Sequence, residues 1–382
     1  MSDAVLVVAF GRTDVGRVRE ENEDYLAIGD LDSGELYDPD ELVEQRVSPR
    51  GPLIVVCDGM GGAAGGEVAS ELATNVVWAE MNSAQPTAER SVFARLLRRA
   101  VRVANRRVFE EGRKEPGLRG MGTTLSAAGV LGTNLILAQV GDSRAYLHRG
   151  ETLTQVTRDQ SIVSALVHAG RITPEEARMS AQANMILQAL GVRDDLEVSM
   201  SLVELRRGDR LLMCSDGLYG PLGDDVLRDV MNARPNVRNA VDSLVESARV
   251  AGGPDNITAV VARFDGDALA EPSSEDDLPR FVELDTMEEG ERALATTSNV
   301  ARRLAARAGI VADPGGPVVP ATGQHTSIQG DGPSLDASLR EADLPGPATQ
   351  ALAERERVGL VVWVLAALVA VSVGALVLWG VI

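Results

Sequence analysis

Short apolar runs that come in pairs are the feature that most constrains the fold of this 382-residue chain. In AAGVLGTNLILAQV, at residues 127–140, two such runs stand on either side of a Gly-Thr-Asn connection. Pairs joined this tightly favour antiparallel hairpins. Amphipathic stretches between the pairs carry apolar residues at helical spacing. The mixture of strand pairs and helix pairs predicts an α+β layered fold for residues 1–264, and not alternating βαβ units.

The predicted elements are spread over residues 1–264. The strand candidates are Val5–Phe10, Leu53–Cys57, Thr124–Val130, Asn134–Val140, Val198–Leu205, Arg210–Cys214 and Ile257–Phe264. The helix candidates are Glu67–Met81, Ala88–Glu111, Gln160–Ala169 and Val237–Val250.

The composition changes after residue 264. Residues 265–357 hold 18 acidic and 8 basic residues and long Pro/Gly-rich stretches, so we expect an acidic, flexible, disordered linker with one helix at 285–309. Residues 358–382 form an uncharged apolar run. As a helix this run would be about 37 Å long, enough to cross a hydrocarbon core of about 30 Å. The alternative is a buried core helix, but no later segment could cover it.

The apolar run therefore predicts a C-terminal transmembrane helix that acts as a tail anchor. Arg355 and Arg357 precede it, and the positive-inside rule keeps their side in the cytoplasm. We expect a single-pass protein of the cell membrane with its folded domain in the cytoplasm. The net charge of −19 argues against nucleic acid as a partner. Two distant cysteines, Cys57 and Cys214, do not make a disulfide framework, and we expect both to be core residues.

The stretch LIVVCDGMGGAAGG, at 53–66, ends an apolar run in Asp58 and continues in glycines. From Asp58 to Gly66, seven of nine residues are Gly or Ala, so the loop allows close approach of the main chain. GMGGAA fits the G-x-G-x-x-A pattern of dinucleotide-binding proteins. However, the Asp58 carboxylate would repel a pyrophosphate, and no acidic residue ends a second strand about 20 residues later. The nucleotide interpretation is therefore disfavoured.

Three other aspartates stand at predicted strand ends beside small residues: Asp142, Asp216 and Asp255. Any one alone is better explained as a turn residue, since Asp-Gly is a common turn dipeptide. Four carboxylates in one place, Asp58 included, would repel each other unless cations neutralise them. Hard divalent cations prefer oxygen ligands, so this set predicts a Mg²⁺ or Mn²⁺ site. With three histidines in the chain and no Cys/His cluster, zinc is disfavoured.

Eight motifs in order carry a family resemblance. They are REENED (19–24), VVCDGMGG (55–62), MGTTL (121–125), QVGDSRAY (139–146), LTQVTRDQS (153–161), LQALG (187–191), CSDGLYG (214–220) and PDNIT (254–258). Together they resemble the metal-dependent protein serine/threonine phosphatases, the PPM or PP2C family, in their bacterial form, over about residues 5–264. The resemblance implies a four-layer αββα sandwich of two antiparallel sheets flanked by helices, with two metals at one end.

The resemblance also implies a role for each matched residue. Asp58 would bridge both metals, Gly59 would offer its carbonyl oxygen, and Asp216 and Asp255 would complete the binuclear Mn²⁺ or Mg²⁺ site. Asp142 would bind a third, weaker metal with Asp216. Arg19 would bind the substrate phosphate, a role suited to a guanidinium fork. Three residues would support the site without touching metal: Asp24 and Glu23, through metal-bound waters, and Asn256.

The implied reaction is hydrolysis of phosphoserine and phosphothreonine by a water whose pKa the two metals lower. We expect a membrane-tethered phosphatase that opposes serine/threonine kinases, with phosphorylated kinases and their substrates as partners. One alternative is an inactive phosphoprotein-binding scaffold, which the retained aspartates disfavour. The other is a stress- or sporulation-regulator phosphatase, which the intact MGTTL, GDSR and DGLYG motifs disfavour.

One residue and two segments depart from the family pattern or vary within it. Met60 stands where some members have a histidine assigned as general acid, so the proton donor has no assignment here. Residues 161–184 match a variable flap beside the cleft in bacterial members. Residues 32–50 look like an acidic insertion between early strands.

Overall fold

The computed structural model describes residues 4–284, with gaps at 48–49, 62–64, 174–175, 178–179, 181, 183–184 and 274–276. By its contacts the chain divides into two units, Met1–Val311 and Ala312–Ile382. The predicted helix at 285–309, most of the predicted linker and the predicted transmembrane run at 358–382 lie outside the described residues. Within the described part of the chain, no helix has the length and apolar character to cross a membrane.

Two antiparallel sheets form the centre of the described domain, as the paired apolar runs predict. The first sheet has the order β10-β9-β12-β13-β1-β4. Its strands are β1 Val5–Asp14, β4 Val43–Val47, β9 Arg144–Arg149, β10 Thr152–Gln155, β12 Arg210–Cys214 and β13 Ile257–Asp265. β13 lies between β1 and β12, and both of these neighbours are antiparallel to it.

The second sheet has the order β14-β11-β8-β7-β5-β2-β3, and the short β6 pairs with the end of β5. Its strands are β2 Asp24–Asp30, β3 Glu35–Tyr37, β5 Arg50–Met60, β6 Gly122–Thr123, β7 Leu125–Leu131, β8 Asn134–Val140, β11 Ser199–Glu204 and β14 Phe281–Glu283. The predicted hairpin of residues 127–140 is the β7–β8 pair.

Helices cover the outer face of each sheet, so the expectation of two antiparallel sheets flanked by helices is confirmed. α1 (Gly65–Ser83) and α2 (Arg90–Lys114) pack on the second sheet around a core that includes Cys57. α4 (Asp216–Ala233) and α5 (Val237–Val250) pack on the first sheet around a core that includes Cys214. A third core fills the space between the sheets. A further α-helix, α3, is short and spans Ile162–His168.

The predicted insertion at residues 32–50 and the segment after residue 264 both contribute edge strands. Residues 32–50 supply β3 at an edge of the second sheet and β4 at an edge of the first. Beyond residue 264, β14 pairs with β11, and Leu269 is buried between the sheets. Asp277 forms ion pairs with Arg149 and Arg206. The packed domain therefore continues past the expected boundary at residue 264.

Strand register brings the predicted site to one end of the two sheets. In the second sheet, Asp24 at the start of β2 stands opposite Asp58 near the end of β5. In the first sheet, Cys214 at the end of β12 stands opposite Ala259 of β13. Asp216 follows that strand end and Asp255 precedes β13. Each sheet thus delivers two of these aspartates.

Candidate functional site

A cavity of about 340 Å³ lies where the two sheets bring these aspartates together. Seven of the nine predicted site residues line it, while Asp24 and Asn256 lie behind its wall. Its lining residues are Arg19, Glu23, Asp58, Gly59, Met60, Gly61, Thr124, Asp142, Ile186, Asp216 and Asp255.

The main chain at Asp58 is held on both sides. Thr124 donates its amide to the Asp58 carbonyl at 2.8 Å and accepts the Asp58 amide on its hydroxyl at 3.0 Å. The next amide, that of Gly59, donates to the Glu23 carbonyl at 3.1 Å. A Cβ atom at residue 59 would lie 2.2 Å from the Gly66 carbonyl oxygen, so only glycine fits there. These contacts fix the Asp58 carboxylate at the cavity wall.

Asp216 and Asp255 come from loops that approach each other as closely as main chains can. A Cβ atom at Gly217 would lie 2.0 Å from the Asn256 carbonyl oxygen. Asp216 is the first residue of α4, whose N-cap is Ser215. The glycine after Asp216 therefore lets the start of α4 sit against the turn that carries Asp255.

Asp24 lies behind the cavity and is 6% exposed. Its Oδ2 accepts hydrogen bonds from the hydroxyls of Ser215, at 2.6 Å, and Thr258, at 2.7 Å. Ser215 also accepts the Thr258 amide at 3.1 Å. Asp24 belongs to the second sheet and its two partners to the first, so this carboxylate ties the two halves of the site together.

Asn256 holds the loop that carries Arg19 and Glu23. Its amide group donates to the carbonyls of Val15 and Glu21 at 3.0 and 2.9 Å, and its Oδ1 accepts the Glu23 amide at 2.8 Å. Within this loop, the Arg19 guanidinium donates to Asp255 Oδ2 at 2.8 Å. The Arg19 side chain is about half exposed, so it stands at the mouth of the cavity.

Asp142 is held through its main chain by a cluster of aromatic and charged groups. The Tyr219 hydroxyl donates to the Asp142 carbonyl at 3.1 Å. Over the Tyr219 ring, at 3.7 Å from its centre, lies the Arg144 guanidinium. Arg144 also pairs with Asp159 at 2.7 Å and donates to the Tyr146 hydroxyl at 2.9 Å. The cluster fixes Asp142 at the edge of the cavity.

Burial and mutual repulsion dominate the electrostatics of the site. Burial, reinforced by the charges of Asp24, Asp216 and Asp142, raises the pKa of Asp58 well above its ordinary value. Burial, reinforced by Asp216, raises the pKa of Asp142 to about 7. For Asp216, burial and the charge of Asp255 also raise the pKa. Carboxylates gathered in this way favour a bound cation, since protonation is the alternative route to neutrality.

The donor set fits hard divalent cations. The cavity offers four aspartates and main-chain carbonyls, the oxygen ligands that Mg²⁺ and Mn²⁺ prefer. In the described part of the chain, no three His, Cys, Asp or Glu side chains are already arranged tightly enough to hold a metal ion. The bond between Arg19 and Asp255 engages one of the carboxylates that such a set would need. The lining residues therefore supply the right donors around an open cavity.

Neither histidine nor cysteine reaches the cavity among the described residues. His148 is buried between Asn232 and Arg210, and His168 ends α3. His325 lies outside the described residues. Cys57 and Cys214 are buried in separate cores, and burial raises the pKa of the Cys57 thiol to about 12. Both cysteines are core residues, as the sequence predicts.

Several residues that support the site are not predicted from the sequence. Thr124 lies in the MGTTL motif and Arg144 in GDSRAY, so the motifs contain a signal for both. Ser215 and Thr258 also lie in quoted motifs, but their bonds to Asp24 cannot be read from spacing. Ile186 lines the cavity from a position between the predicted flap at 161–184 and the LQALG motif, and belongs to neither.

Comparison with known proteins is consistent with this geometry. A family model described as Protein phosphatase 2C matches residues 38–260. The serine/threonine protein phosphatase PstP of Mycobacterium tuberculosis is 38% identical over 263 residues, which cover 69% of this chain and 46% of that protein. The match therefore spans about half the length of this relative. The protein phosphatase PhpP of Streptococcus pneumoniae is 36% identical over 261 residues, 67% of this chain and 97% of that protein.

A solved structure adds a metal-bound example. The catalytic domain of serine threonine protein phosphatase PstP in complex with two manganese ions is 38% identical to this chain, with a TM-score of 0.57. The structure of the M. tuberculosis serine/threonine phosphatase PstP at 1.95 Å is also 38% identical, with a TM-score of 0.58. The similarity to the manganese complex covers 68% of this chain and 99% of that domain.

Proposed function

This chain belongs to the Protein phosphatase 2C family, and we propose that it hydrolyses phosphoserine and phosphothreonine in proteins with the help of Mn²⁺ or Mg²⁺. The observation that carries the proposal is the meeting of Asp58, Asp142, Asp216 and Asp255 with Arg19 around one cavity. Relatives that are named phosphatases support it.

Each residue has a proposed part in the reaction. Asp58, Asp216, Asp255 and the Gly59 carbonyl would hold two divalent cations, and Asp142 would hold a third with Asp216. Bound there, such cations supply a water of lowered pKa and positive charge for the phosphate oxygens.

The remaining groups bind and orient. Arg19 stands at the mouth of the cavity and would form a bidentate contact with the phosphate once it leaves Asp255. Asp24 and Glu23 would accept hydrogen bonds from water inside the site. Asn256 keeps the Arg19 loop in place through its three main-chain bonds. Met60 lines the cavity without a proton to offer, so leaving-group protonation falls to water or to a carboxyl group of the site.

We also propose that the phosphatase is tethered to the cell membrane by residues 358–382 and opposes serine/threonine kinases. The uncharged run and the arginines before it support the tether. An inactive scaffold would need no complete carboxylate set, so the retained aspartates favour an enzyme.

Phosphate release by the full chain tests the activity. With Mn²⁺ present we expect release from phosphothreonine and phosphoserine peptides, and none after chelation. Asp58→Asn and Asp216→Asn should each lower the rate at least about a thousandfold, because each removes a carboxylate from the metal site. Metal-independent turnover, or wild-type rates in either variant, would contradict the proposal.

Membrane fractionation tests the tether. The full chain should sediment with membranes, whereas a chain lacking residues 358–382 should not. If the truncated chain stays in the membrane fraction, the tail anchor is wrong, whatever the phosphatase assay shows.

A further inference from the structure

Helix α2 is strongly basic although the chain as a whole is strongly acidic. The chain has 56 acidic and 37 basic residues, yet the 25 residues of α2 include nine basic and two acidic ones. A net positive charge concentrated on one helix of an acidic chain marks a surface that favours an anionic partner.

Four exposed residues of α2 form what we call the arginine stripe: Arg95, Arg99, Arg102 and Arg106. Their spacing of four, three and four residues places them within an arc of about 60° on one face of the helix. Phe93, Leu97 and Val101 on the other face are buried against the second sheet, so the stripe is fixed outwards. Among the described residues, none of the four arginines forms an ion pair, which leaves their guanidinium groups available.

The stripe leads into a groove of about 770 Å³. Arg102, Asn105 and Arg106 line one side of it, and residues 186–197 line the other. Asn105 binds that segment firmly: its Nδ2 donates to the carbonyls of Arg193 and Asp194 at 2.9 and 3.1 Å, and its Oδ1 accepts the Gly191 amide at 2.9 Å. The groove is therefore built into the fold between the helix and the segment.

The groove adjoins the cavity that the aspartates line. Met60 and Ile186 line both, so a chain lying in the groove can extend to the aspartates. The side formed by residues 186–197 carries Asp194, Asp195, Glu197 and Arg193. This net negative side would repel acidic groups towards the arginines of α2.

We propose that the arginine stripe and the adjoining groove bind an acidic segment next to the phosphorylated residue of a protein substrate. The proposal rests on the phosphatase function proposed above and adds a substrate preference to it. Guanidinium groups bind carboxylates in a fork geometry that lysine cannot reproduce. Because the stripe is exposed, its contribution is sensitive to salt. The two lining residues that the groove shares with the cavity, Met60 and Ile186, favour a substrate over an anionic membrane surface as the partner.

Two phosphothreonine peptides of equal length test this preference on the full chain with Mn²⁺. One peptide has glutamates on both sides of the phosphothreonine and the other has glutamines; p-nitrophenyl phosphate serves as a substrate too small to reach the stripe. The wild type should have a KM about tenfold lower for the acidic peptide, and this difference should vanish at about 0.5 M salt. Replacing all four stripe arginines by glutamine should abolish the difference and leave kcat and the p-nitrophenyl phosphate rate unchanged.

A matched control removes the same charge outside α2: the quadruple replacement of Arg46, Arg228, Arg263 and Arg280 by glutamine should keep the preference. A stripe variant that still prefers the acidic peptide as the wild type does would overturn the proposal. Phosphatidylserine vesicles provide the alternative partner. If they slow hydrolysis of the neutral peptide by the wild type but not by the stripe variant, and the wild type and the variant have the same peptide preference, the stripe binds lipid and the proposal is wrong. A wild type inactive on all three substrates would instead contradict the phosphatase function.

Discussion

The missing side chain at residue 217 lets two aspartates from separate loops share one cavity. Gly217 follows Asp216, and Asn256 follows Asp255. The 2.0 Å that separates the position of a Cβ at 217 from the Asn256 carbonyl oxygen leaves no room for any other residue. The Cβ atom is bonded to the main chain and the carbonyl oxygen is part of it, so no rotation of a side chain could relieve the clash.

We therefore expect Gly217→Ala to lower both the phosphatase rate and the Mn²⁺ affinity at least tenfold, and to lower the melting temperature. The matched control is Gly220→Ala in the same helix, where a Cβ meets no atom within 4 Å. That variant should keep its activity and melt at the same or a slightly higher temperature, because alanine is the better helix former. Equal effects of the two substitutions on activity would contradict this account of the site.

At the same scale, the sequence predicts the aspartates better than their supports. Asp58, Asp142, Asp216 and Asp255 follow a visible pattern of strand end and small neighbour. The hydroxyl contacts to Asp24 join residues more than 190 positions apart, and serine and threonine are common in any chain. Such contacts arise only when the two sheets pack.

Elements with regular periodicity are predicted well from the sequence, and those with helix breakers are not. The strand predicted at 210–214 and the helix predicted at 237–250 have the same bounds in the structure. α4 was not predicted, because Gly217, Gly220, Pro221 and Gly223 disguise it. Gly223 in fact has a φ of 72°, which is non-helical and kinks the element. The strands β3 and β4 are hidden in an acidic stretch whose pairing partners lie elsewhere in the chain.

The packing of residues 265–284 predicts that the domain needs them. A chain ending at residue 284 should melt higher than one ending at residue 264, by about 4–8 °C. The loss of buried Leu269 alone is worth about 2 kcal/mol, at roughly 2–4 °C per kcal/mol for a domain of this size. The measurement is thermal unfolding of the two truncated chains. Equal melting temperatures would indicate that β14 and Leu269 add nothing to the domain.

For the whole molecule, the site is a junction between the two sheets, so cations bound there would stabilise the entire domain. Burial raises the pKa of Asp24 and of Asp142 to about 7. An acid whose pKa is raised on folding destabilises the folded state once pH exceeds its unfolded pKa of about 4, and the effect is complete above pH 7. Cations compete with protons for the oxygens of Asp142, and their positive charge also favours the ionised form of the nearby Asp24. They therefore offset this effect most where the protons have left.

The stabilisation by Mn²⁺ should therefore grow with pH. We expect the difference in melting temperature between the Mn²⁺-loaded and chelated full chain to be larger at pH 8 than at pH 6. Differential scanning fluorimetry at both pH values measures it. A difference that stays constant or shrinks as the pH rises would mean that carboxyl groups with a raised pKa do not contribute to metal binding.

Calorimetric titration of the chelated full chain with Mn²⁺ tests the central claim most directly. The claim is that the aspartates delivered by the two sheets form one site for divalent cations. The wild type should bind at least two Mn²⁺ ions per chain, and Asp58→Asn should lose at least one of them together with phosphatase activity. Asp225→Asn, an exposed carboxylate on α4, is the control and should bind as the wild type does. Wild-type Mn²⁺ binding by Asp58→Asn would contradict the claim.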